Sequence, residues 1–280
     1  MKTTTLSNGI KMPILGIGTF LVNEQDGYET VKEALKVGYR HIDTAQAYRN
    51  ETEIGRAIKD SGIPREEIFV TTKLSARKLG YKEASEALDE SLSKLGLEYV
   101  DLYLIHWPSS NSALNQETWK GMEVCYNTRR AHAIGVSNFQ IHHLLDLFKV
   151  ASVMPAVNQV EMHPGLQQEA LKVFLDKNNI KMISYGPFMK GEVFNRTGKF
   201  YETLDKIGDN HKASVAQVII AWGLQRGIMM IPKSVTPSRI LENFKALDLV
   251  LTNEEMEMIS LLNQGIRVYT DPDNVPYVKK

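Results

Sequence analysis

Short apolar runs alternate along the chain with longer amphipathic segments. The runs are rich in Val and Ile, and Gly, Pro or polar clusters bound them. Several are almost continuously apolar, which is typical of parallel strands that are covered on both faces. The sequence therefore predicts eight buried strands, at 15–20, 40–45, 68–74, 100–107, 132–138, 156–162, 181–186 and 228–234.

The segments between these runs carry apolar residues at helical spacing. In 81–96, one stripe is formed by Ala84, Ala87, Leu88, Ser91, Leu92 and Leu95, as in a helix that covers a sheet. Eight strand-and-helix units favour a (β/α)8 barrel over a doubly wound sheet, which normally has five or six strands. Asn8 and Gly9 predict a β-hairpin that plugs the barrel bottom, and 263–280 predicts a C-terminal loop extension. We expect one domain over 1–280.

The composition of the chain limits the classes of partner that it is expected to bind. The 33 Lys and Arg residues balance 33 Asp and Glu residues and are interspersed with them, so the chain lacks the charge pattern of a nucleic-acid or membrane binder. Cys125 is the only cysteine, which suits a reducing compartment. The polar start lacks a signal-like apolar stretch, and no run is long enough to span a bilayer. We expect a cytoplasmic monomer that acts on small molecules.

Polar residues stand at the C-terminal ends of the predicted strands, which is where a (β/α)8 barrel has its active site. Asp43 and Lys73 end neighbouring strands, and a buried lysine needs such a counter-ion. The ammonium should lower the pKa of Tyr48, so that the phenol donates a proton near neutral pH. His106 could orient a carbonyl oxygen. No protein nucleophile is evident, because Cys125 lies in a predicted helix, so attack on the carbonyl carbon should come from a cofactor.

Seven motifs occur in one order along nearly the whole chain: LGIGTF, HIDTAQAYRNE, TTKL, SLSKLGLEYVDLYLIHWP, AIGVSNF, VNQVEMHP and IPKSVTPSRILENF. With them the chain resembles an aldo-keto reductase, in a bacterial branch that includes 2,5-diketogluconate reductases. The resemblance implies a (β/α)8 barrel that passes a hydride from NADPH to aldehydes or ketones. It also implies a catalytic tetrad of Asp43, Tyr48, Lys73 and His106.

The resemblance further implies cofactor contacts at both ends of a long site. The nicotinamide carboxamide would be bound by Ser137, Asn138 and Gln159, with Tyr185 stacked beneath the ring. The adenosine 2'-phosphate would be bound by Lys233, Ser234 and Arg239, and the adenine by Glu242 and Asn243. Two cations and a hydroxyl near a helix start suit a phosphate, so we expect NADPH in preference to NADH. Trp107 is expected at the rim of the substrate pocket.

Other interpretations remain beside this one. The chain could bind NADPH as a sensor or interaction subunit with little turnover, or it could be an unrelated barrel enzyme that uses Lys73 as a Schiff-base amine. The stretch GIGTFL has Leu21 where the dinucleotide fingerprint needs a third glycine, so no Rossmann site is predicted. His142 and His143 have no further ligand at a suitable offset, so no metal is predicted. Substrate choice is assigned to the loops 74–82, 109–117 and 263–280, and 186–202 is a candidate lid or site loop.

Overall fold

The computed structural model describes residues 1–279. The strands are β1 (Thr3–Thr5), β2 (Lys11–Pro13), β3 (Ile17–Gly18), β4 (His41–Asp43), β5 (Phe69–Leu74), β6 (Val100–Ile105), β7 (Ala131–Ser137), β8 (Val157–Glu161), β9 (Lys181–Tyr185) and β10 (Met229–Met230). The helices are α1 (Glu24–Val37), α2 (Glu51–Asp60), α3 (Tyr81–Leu95), α4 (Ser112–Asn127), α5 (Ile141–Phe148), α6 (Glu169–Lys177), α7 (Lys199–His211), α8 (Val215–Gln225), α9 (Pro237–Lys245) and α10 (Asn253–Ser260).

Strands β3 to β10 form one parallel sheet in chain order. The sheet closes on itself, because Leu15 bridges Met230 and Gly18 bridges Lys233 in parallel. A side chain at Gly18 would meet the Ile231 carbonyl oxygen at 2.9 Å, so the closure requires glycine there. Helices follow each strand, as in the predicted (β/α)8 barrel, and this prediction is confirmed.

The first and last barrel strands are much shorter than predicted. The sequence predicts strands at 15–20 and 228–234, whereas the structure has the two-residue strands β3 and β10 at these places. Pro232 has no N–H to donate, so the two segments are joined by isolated bridges and a few backbone hydrogen bonds, such as Gly18 N–H to the Pro232 carbonyl, instead of a continuous ladder. The six inner strands match their predicted positions to within one or two residues.

The barrel has two apolar layers. The outer layer lies between strands and helices, and in α3 its buried side chains are the six of the predicted stripe. The inner layer fills the barrel. Leu6 and Met12 of the β1–β2 hairpin pack into that inner layer against Leu102 and Leu104. The hairpin therefore plugs the barrel, as predicted.

Two further segments, 186–202 and the C-terminal tail, contribute residues to the C-terminal face of the barrel. The stretch 186–202, predicted as irregular, contains a 3-10 turn at Met189–Phe194 and the first turn of α7. The C-terminal tail, residues 263–279, contains no helix or strand; Lys280 lies outside the described residues. None of the helices within 1–279 is both long and apolar enough to cross a membrane.

Candidate active site

Parallel strand ends bring Asp43 and Lys73 together. Asp43 ends β4 and Lys73 lies near the end of β5, and both side chains are buried. The Lys73 Nζ lies 2.5 Å from Asp43 Oδ1 and donates a second bond of 2.8 Å to the Thr44 carbonyl. The second Asp43 oxygen accepts from Gln159 Nε2 at 2.7 Å. The carboxylate and the ammonium are therefore paired and hydrogen-bonded, as buried charges must be.

Burial acts on both members of this pair. It raises the pKa of Asp43 and lowers the pKa of Lys73, and the attraction between the two groups opposes each shift. A lysine held in this way is a poor amine nucleophile, because its protons are committed to Asp43 and to the Thr44 carbonyl. The geometry therefore disfavours the Schiff-base alternative.

Tyr48 and His106 stand beside the pair. Tyr48 ends a 3-10 turn that follows β4, and its ring packs edge-on against the His106 ring, with centroids 5.5 Å apart. The Lys73 Nζ lies 5.1 Å from the Tyr48 ring centroid. His106 directly follows β6, and its backbone N–H donates to the Leu74 carbonyl at 3.3 Å. The four side chains of the predicted tetrad thus meet at one place on the rim.

The predicted effect of Lys73 on Tyr48 is wrong for this structure. Burial, followed by the negative charge of Asp43, raises the pKa of Tyr48 well above its usual value. The main reason is burial, which disfavours the charged phenolate, and the Asp43 carboxylate acts in the same direction,. Tyr48 is consequently a neutral O–H donor over the ordinary pH range.

His106 is also neutral. Burial lowers the pKa of its imidazole well below the usual value, and the Lys73 charge lowers it further. A neutral imidazole has one N–H donor and one acceptor nitrogen. This end of the site therefore presents two uncharged donors, from Tyr48 and His106.

A chain of polar groups adjoins the four side chains. Tyr185 donates from its hydroxyl to Asn138 Oδ1 at 2.7 Å, and Asn138 Nδ2 donates to the His106 carbonyl at 2.9 Å. Ser137 Oγ donates to the Gln159 carbonyl at 2.9 Å. Asn138 adopts a left-handed backbone conformation, with φ 67°, which asparagine tolerates better than most residues. The four residues predicted for the nicotinamide end thus form one connected group that reaches Asp43 through Gln159.

A second polar group surrounds the start of α9. Lys233 and Arg239 are exposed, and neither makes an ion pair within residues 1–279. Ser234 and Asn243 are buried beside them. Glu242 accepts from Ser214 Oγ at 2.5 Å, a contact that the sequence analysis did not predict. Two cations at a helix N-terminus without a side-chain cap are suited to an anion.

One cavity of about 1640 Å³ joins the two groups. Its volume exceeds the 300–1,000 Å³ typical of single small-ligand sites, so it can hold a dinucleotide together with a small substrate. The predicted residues on its wall are Asp43, Tyr48, His106, Trp107, Ser137, Asn138, Gln159, Tyr185, Lys233, Ser234, Arg239, Glu242 and Asn243. Lys73 lies directly behind this wall, against Asp43. The residues present therefore fit NADPH.

Several wall residues were missed by the sequence analysis. Phe20 packs against Tyr48, with centroids 5.2 Å apart, and Tyr277 packs edge-on against Trp107 at 6.1 Å. Tyr269 packs edge-on against Tyr185 at 5.3 Å. Two of these rings come from the C-terminal tail, and no local pattern indicates which distant residue an irregular segment contacts.

The tail also brings an acid to the histidine pair. Asp273 Oδ1 lies 3.2 Å from His142 Nε2 and 3.5 Å from His143 Nε2. The His143 Nδ1 accepts from the Gln140 backbone N–H at 3.2 Å, so a neutral His143 carries its proton on Nε2 and has no lone pair there for a metal. In this arrangement the cluster links the tail to α5 by close contacts between the Asp273 carboxylate and the two imidazole rings.

The sequence model described as "Aldo/keto reductase family" matches residues 14–264. The chain belongs to this family. Family membership makes it an NADPH-dependent oxidoreductase that reduces aldehydes or ketones, as the sequence analysis predicts.

Relatives match over nearly the full length. The chain is 46% identical to the 9,11-endoperoxide prostaglandin H2 reductase of Trypanosoma cruzi, over 96% of this chain and 94% of the relative. It is 43% identical to the glyoxal reductase of Bacillus subtilis, over 98% and 97%. It is 42% identical to the methylglyoxal reductase DkgA of Escherichia coli, over 96% of each.

Solved structures agree with this assignment. The aldo-keto reductase MGS-M4 from a Medee basin deep-sea metagenome library matches with a TM-score of 0.94 and 46% identity, over 99% of this chain and 100% of that one. A Gox0644 variant in complex with NADPH matches with a TM-score of 0.92 and 38% identity, over 98% of each chain.

Proposed function

We propose that the protein reduces small 2-oxoaldehydes to hydroxycarbonyl compounds, with Tyr48 as the proton donor. The observation that carries the proposal is the pair of neutral donors, Tyr48 and His106, at one end of the cavity. A 2-oxoaldehyde presents two neighbouring carbonyl oxygens, so each donor has an acceptor. Names of relatives lend support, since two of them are a glyoxal reductase and a methylglyoxal reductase.

The proposed roles follow from the contacts. Tyr48 donates a proton to the carbonyl oxygen that becomes the alcohol, and the neutral His106 holds the substrate by hydrogen bonding. Lys73 supplies positive charge behind Tyr48 as electron density reaches the oxygen. Asp43 keeps Lys73 charged and in place. Trp107 forms an apolar wall for the remainder of the substrate.

NADPH supplies the hydride when it is bound. We propose that Ser137, Asn138 and Gln159 orient its carboxamide, and that Tyr185 supports the ring. At the far end, the cations Lys233 and Arg239 with Ser234 hold the 2'-phosphate, while Glu242 and Asn243 contact the adenine. The absence of ion pairs for the two cations within residues 1–279 supports this assignment, because their charge is available to a ligand.

A matched pair of substrates tests the substrate class. Methylglyoxal and propanal have the same number of carbons and differ by one carbonyl group. We expect kcat/KM for methylglyoxal to be at least about tenfold higher, equivalent to about 1.4 kcal/mol. Equal values for the two would contradict the 2-oxoaldehyde proposal and leave a general carbonyl reductase.

Tyr48→Phe tests the proton donor. It removes one hydroxyl and should reduce turnover by about 10²- to 10⁴-fold, while NADPH binding, followed by fluorescence, is retained. Unchanged turnover would remove Tyr48 from the mechanism. A wild-type protein that binds NADPH but does not oxidise it in a single turnover with methylglyoxal would instead favour the sensor alternative.

Lys233→Met tests the phosphate site. The change removes one charge-assisted contact to the 2'-phosphate, so the Kd for NADPH should rise about tenfold or more, with little change for NADH. Equal losses for the two dinucleotides would argue against the phosphate assignment.

We also propose that the enzyme is a monomer in the cytoplasm that does not bind nucleic acid. The buried, unpaired thiol of Cys125 supports a reducing compartment,. Light scattering after size-exclusion chromatography would test the monomer, and a stable dimer peak would exclude it.

A further inference from the structure

Glu161 is a buried carboxylate that the proposed mechanism does not use. It ends β8, two residues after Gln159, and its side chain has no exposed surface. Successive residues of a strand point to opposite faces, so Glu161 and Gln159 share the inner face of the barrel. Gln159 bonds Asp43 there, whereas Glu161 lies at the rim and does not line the cavity.

The partners of Glu161 come mainly from the C-terminal tail. Its Oε1 accepts from the Val268 N–H at 2.6 Å, and its Oε2 accepts from the Tyr269 N–H at 3.3 Å. Arg267 Nη1 lies 3.4 Å from Oε2. His163 Nε2 contacts Oε1 at 3.0 Å. Three consecutive tail residues are thus held by one side chain from the barrel.

The held residues place an aromatic ring on the wall of the site. The Tyr269 ring packs against Tyr185 and fills the space beside Gly186, where a Cβ would lie 2.5 Å from the ring. Lys190 Nζ lies 4.7 Å from the centroid of the Tyr269 ring. Tyr269 and Thr270 line the cavity. The position of this wall therefore depends on where the tail is attached.

We infer that Glu161 is a positioning residue that sets the shape of the substrate site by holding Tyr269 against Tyr185. The kinetic consequence of this inference, a change in the KM for substrate, rests on the proposed function. Glu161 contacts neither the reacting atoms nor the cavity, and it acts through the backbone of Val268 and Tyr269. Loss of the carboxylate should loosen the wall and leave the tetrad in place.

The main test is Glu161→Gln, which keeps the size of the side chain but puts an amide NH2 where one acceptor oxygen stood. We expect the KM for phenylglyoxal, whose ring reaches further along the wall, to rise about tenfold. We expect KM for methylglyoxal to rise less than about threefold and kcat for both to stay within about threefold. A general structural defect would lower kcat for both substrates together.

A matched control and a mutant cycle give the test its specificity. Arg267→Met removes only the long contact to Oε2 and leaves both backbone donors, so its kinetic effect should be small. Tyr269→Ala should raise the KM for phenylglyoxal as Glu161→Gln does, and the double variant should be no worse than either single one, because both act through the same ring. Additive effects in the cycle would overturn the inference.

Hydrogen exchange on the wild-type protein provides a test that needs no variant and no turnover. The Val268 amide, which donates to Glu161, should exchange at least about tenfold more slowly than the amides of Val275 and Tyr277. Equal exchange rates would show that the anchor is not formed in solution, even if Glu161→Gln does not fold. A protein that protects Val268 but reduces no carbonyl would retain the anchor and refute the proposed function instead.

Discussion

The tetrad and the C-terminal tail are held in the same molecule by different means. Asp43 and Lys73 lie on neighbouring strands whose register is fixed by the sheet, and their contact is buried. Residues 263–279 have no helix or strand. Separate contacts attach them to the barrel, among them those of Glu161, of the pair His142 and His143 and of Trp107, together with backbone hydrogen bonds at Gly165 and Ala76. The Asp43–Lys73 pair is thus fixed by the register of the sheet, whereas the tail is fixed by separate contacts that each involve only one or a few of its residues.

This difference predicts that mutations in the two regions have different effects on turnover, stability and substrate affinity. Changes in the tetrad should affect turnover and stability together, because the charges are buried. Changes in the tail should affect substrate affinity with little effect on stability.

The largest effect is expected from Lys73→Met. It leaves the Asp43 carboxylate buried without its ammonium, so the free energy of unfolding should fall by about 3–5 kcal/mol, and turnover should be lost. Denaturant unfolding and steady-state kinetics measure the two effects. Lys78→Met is the matched control, because its ion pair with Glu90 is exposed and should contribute less than about 1 kcal/mol. Similar losses for both variants would contradict the contrast between buried and exposed pairs.

An intermediate effect is expected on the stability of the folded protein at acidic pH, and it comes from the buried His41. Burial, followed by the Lys73 charge, lowers the pKa of His41 from 6.5 to about 3. Below pH 6.5 the unfolded chain binds a proton at this position and the folded chain does not, so stability falls with pH between about 6.5 and 3.

The slope attributable to one such histidine is up to about 1.4 kcal/mol per pH unit. His41→Gln keeps a polar group near Thr71 and removes the titration. We expect the variant to lose less stability between pH 6 and pH 4.5 than the wild type does, whatever its stability at pH 7. Parallel pH profiles of the unfolding free energy would contradict the prediction.

The smallest effect is expected in the tail. Tyr277→Ala removes an edge-on contact with Trp107 from a side chain that is 38% exposed. The free energy of unfolding should fall by about 1 kcal/mol or less, while KM for phenylglyoxal rises. Thermal unfolding with substrate titration checks both, and a stability loss as large as that of Lys73→Met would abolish the distinction between the regions.

The same contrast explains what could be predicted from the sequence. The barrel and the proximity of Asp43 to Lys73 could be predicted because their signals are local: apolar runs mark the strands, and the two residues lie at the ends of neighbouring strands. The roles of Tyr269 and Tyr277 could not be predicted, because an irregular segment has no period that fixes its register against the barrel. The direction of the Tyr48 pKa shift was mispredicted because the sequence does not show how completely the barrel rim buries the phenol, and burial is the largest cause of the shift.

The two-residue strands β3 and β10 have a consequence for the folded protein as a whole. The joint that closes the barrel between them contains isolated bridges instead of a continuous ladder, and one of these bridges joins Gly18 to Lys233. If Lys233 holds the phosphate as proposed, the bound nucleotide contacts a residue of the joint that closes the barrel. Bound NADPH would then stabilise the folded enzyme against unfolding as well as supply the hydride for its reaction.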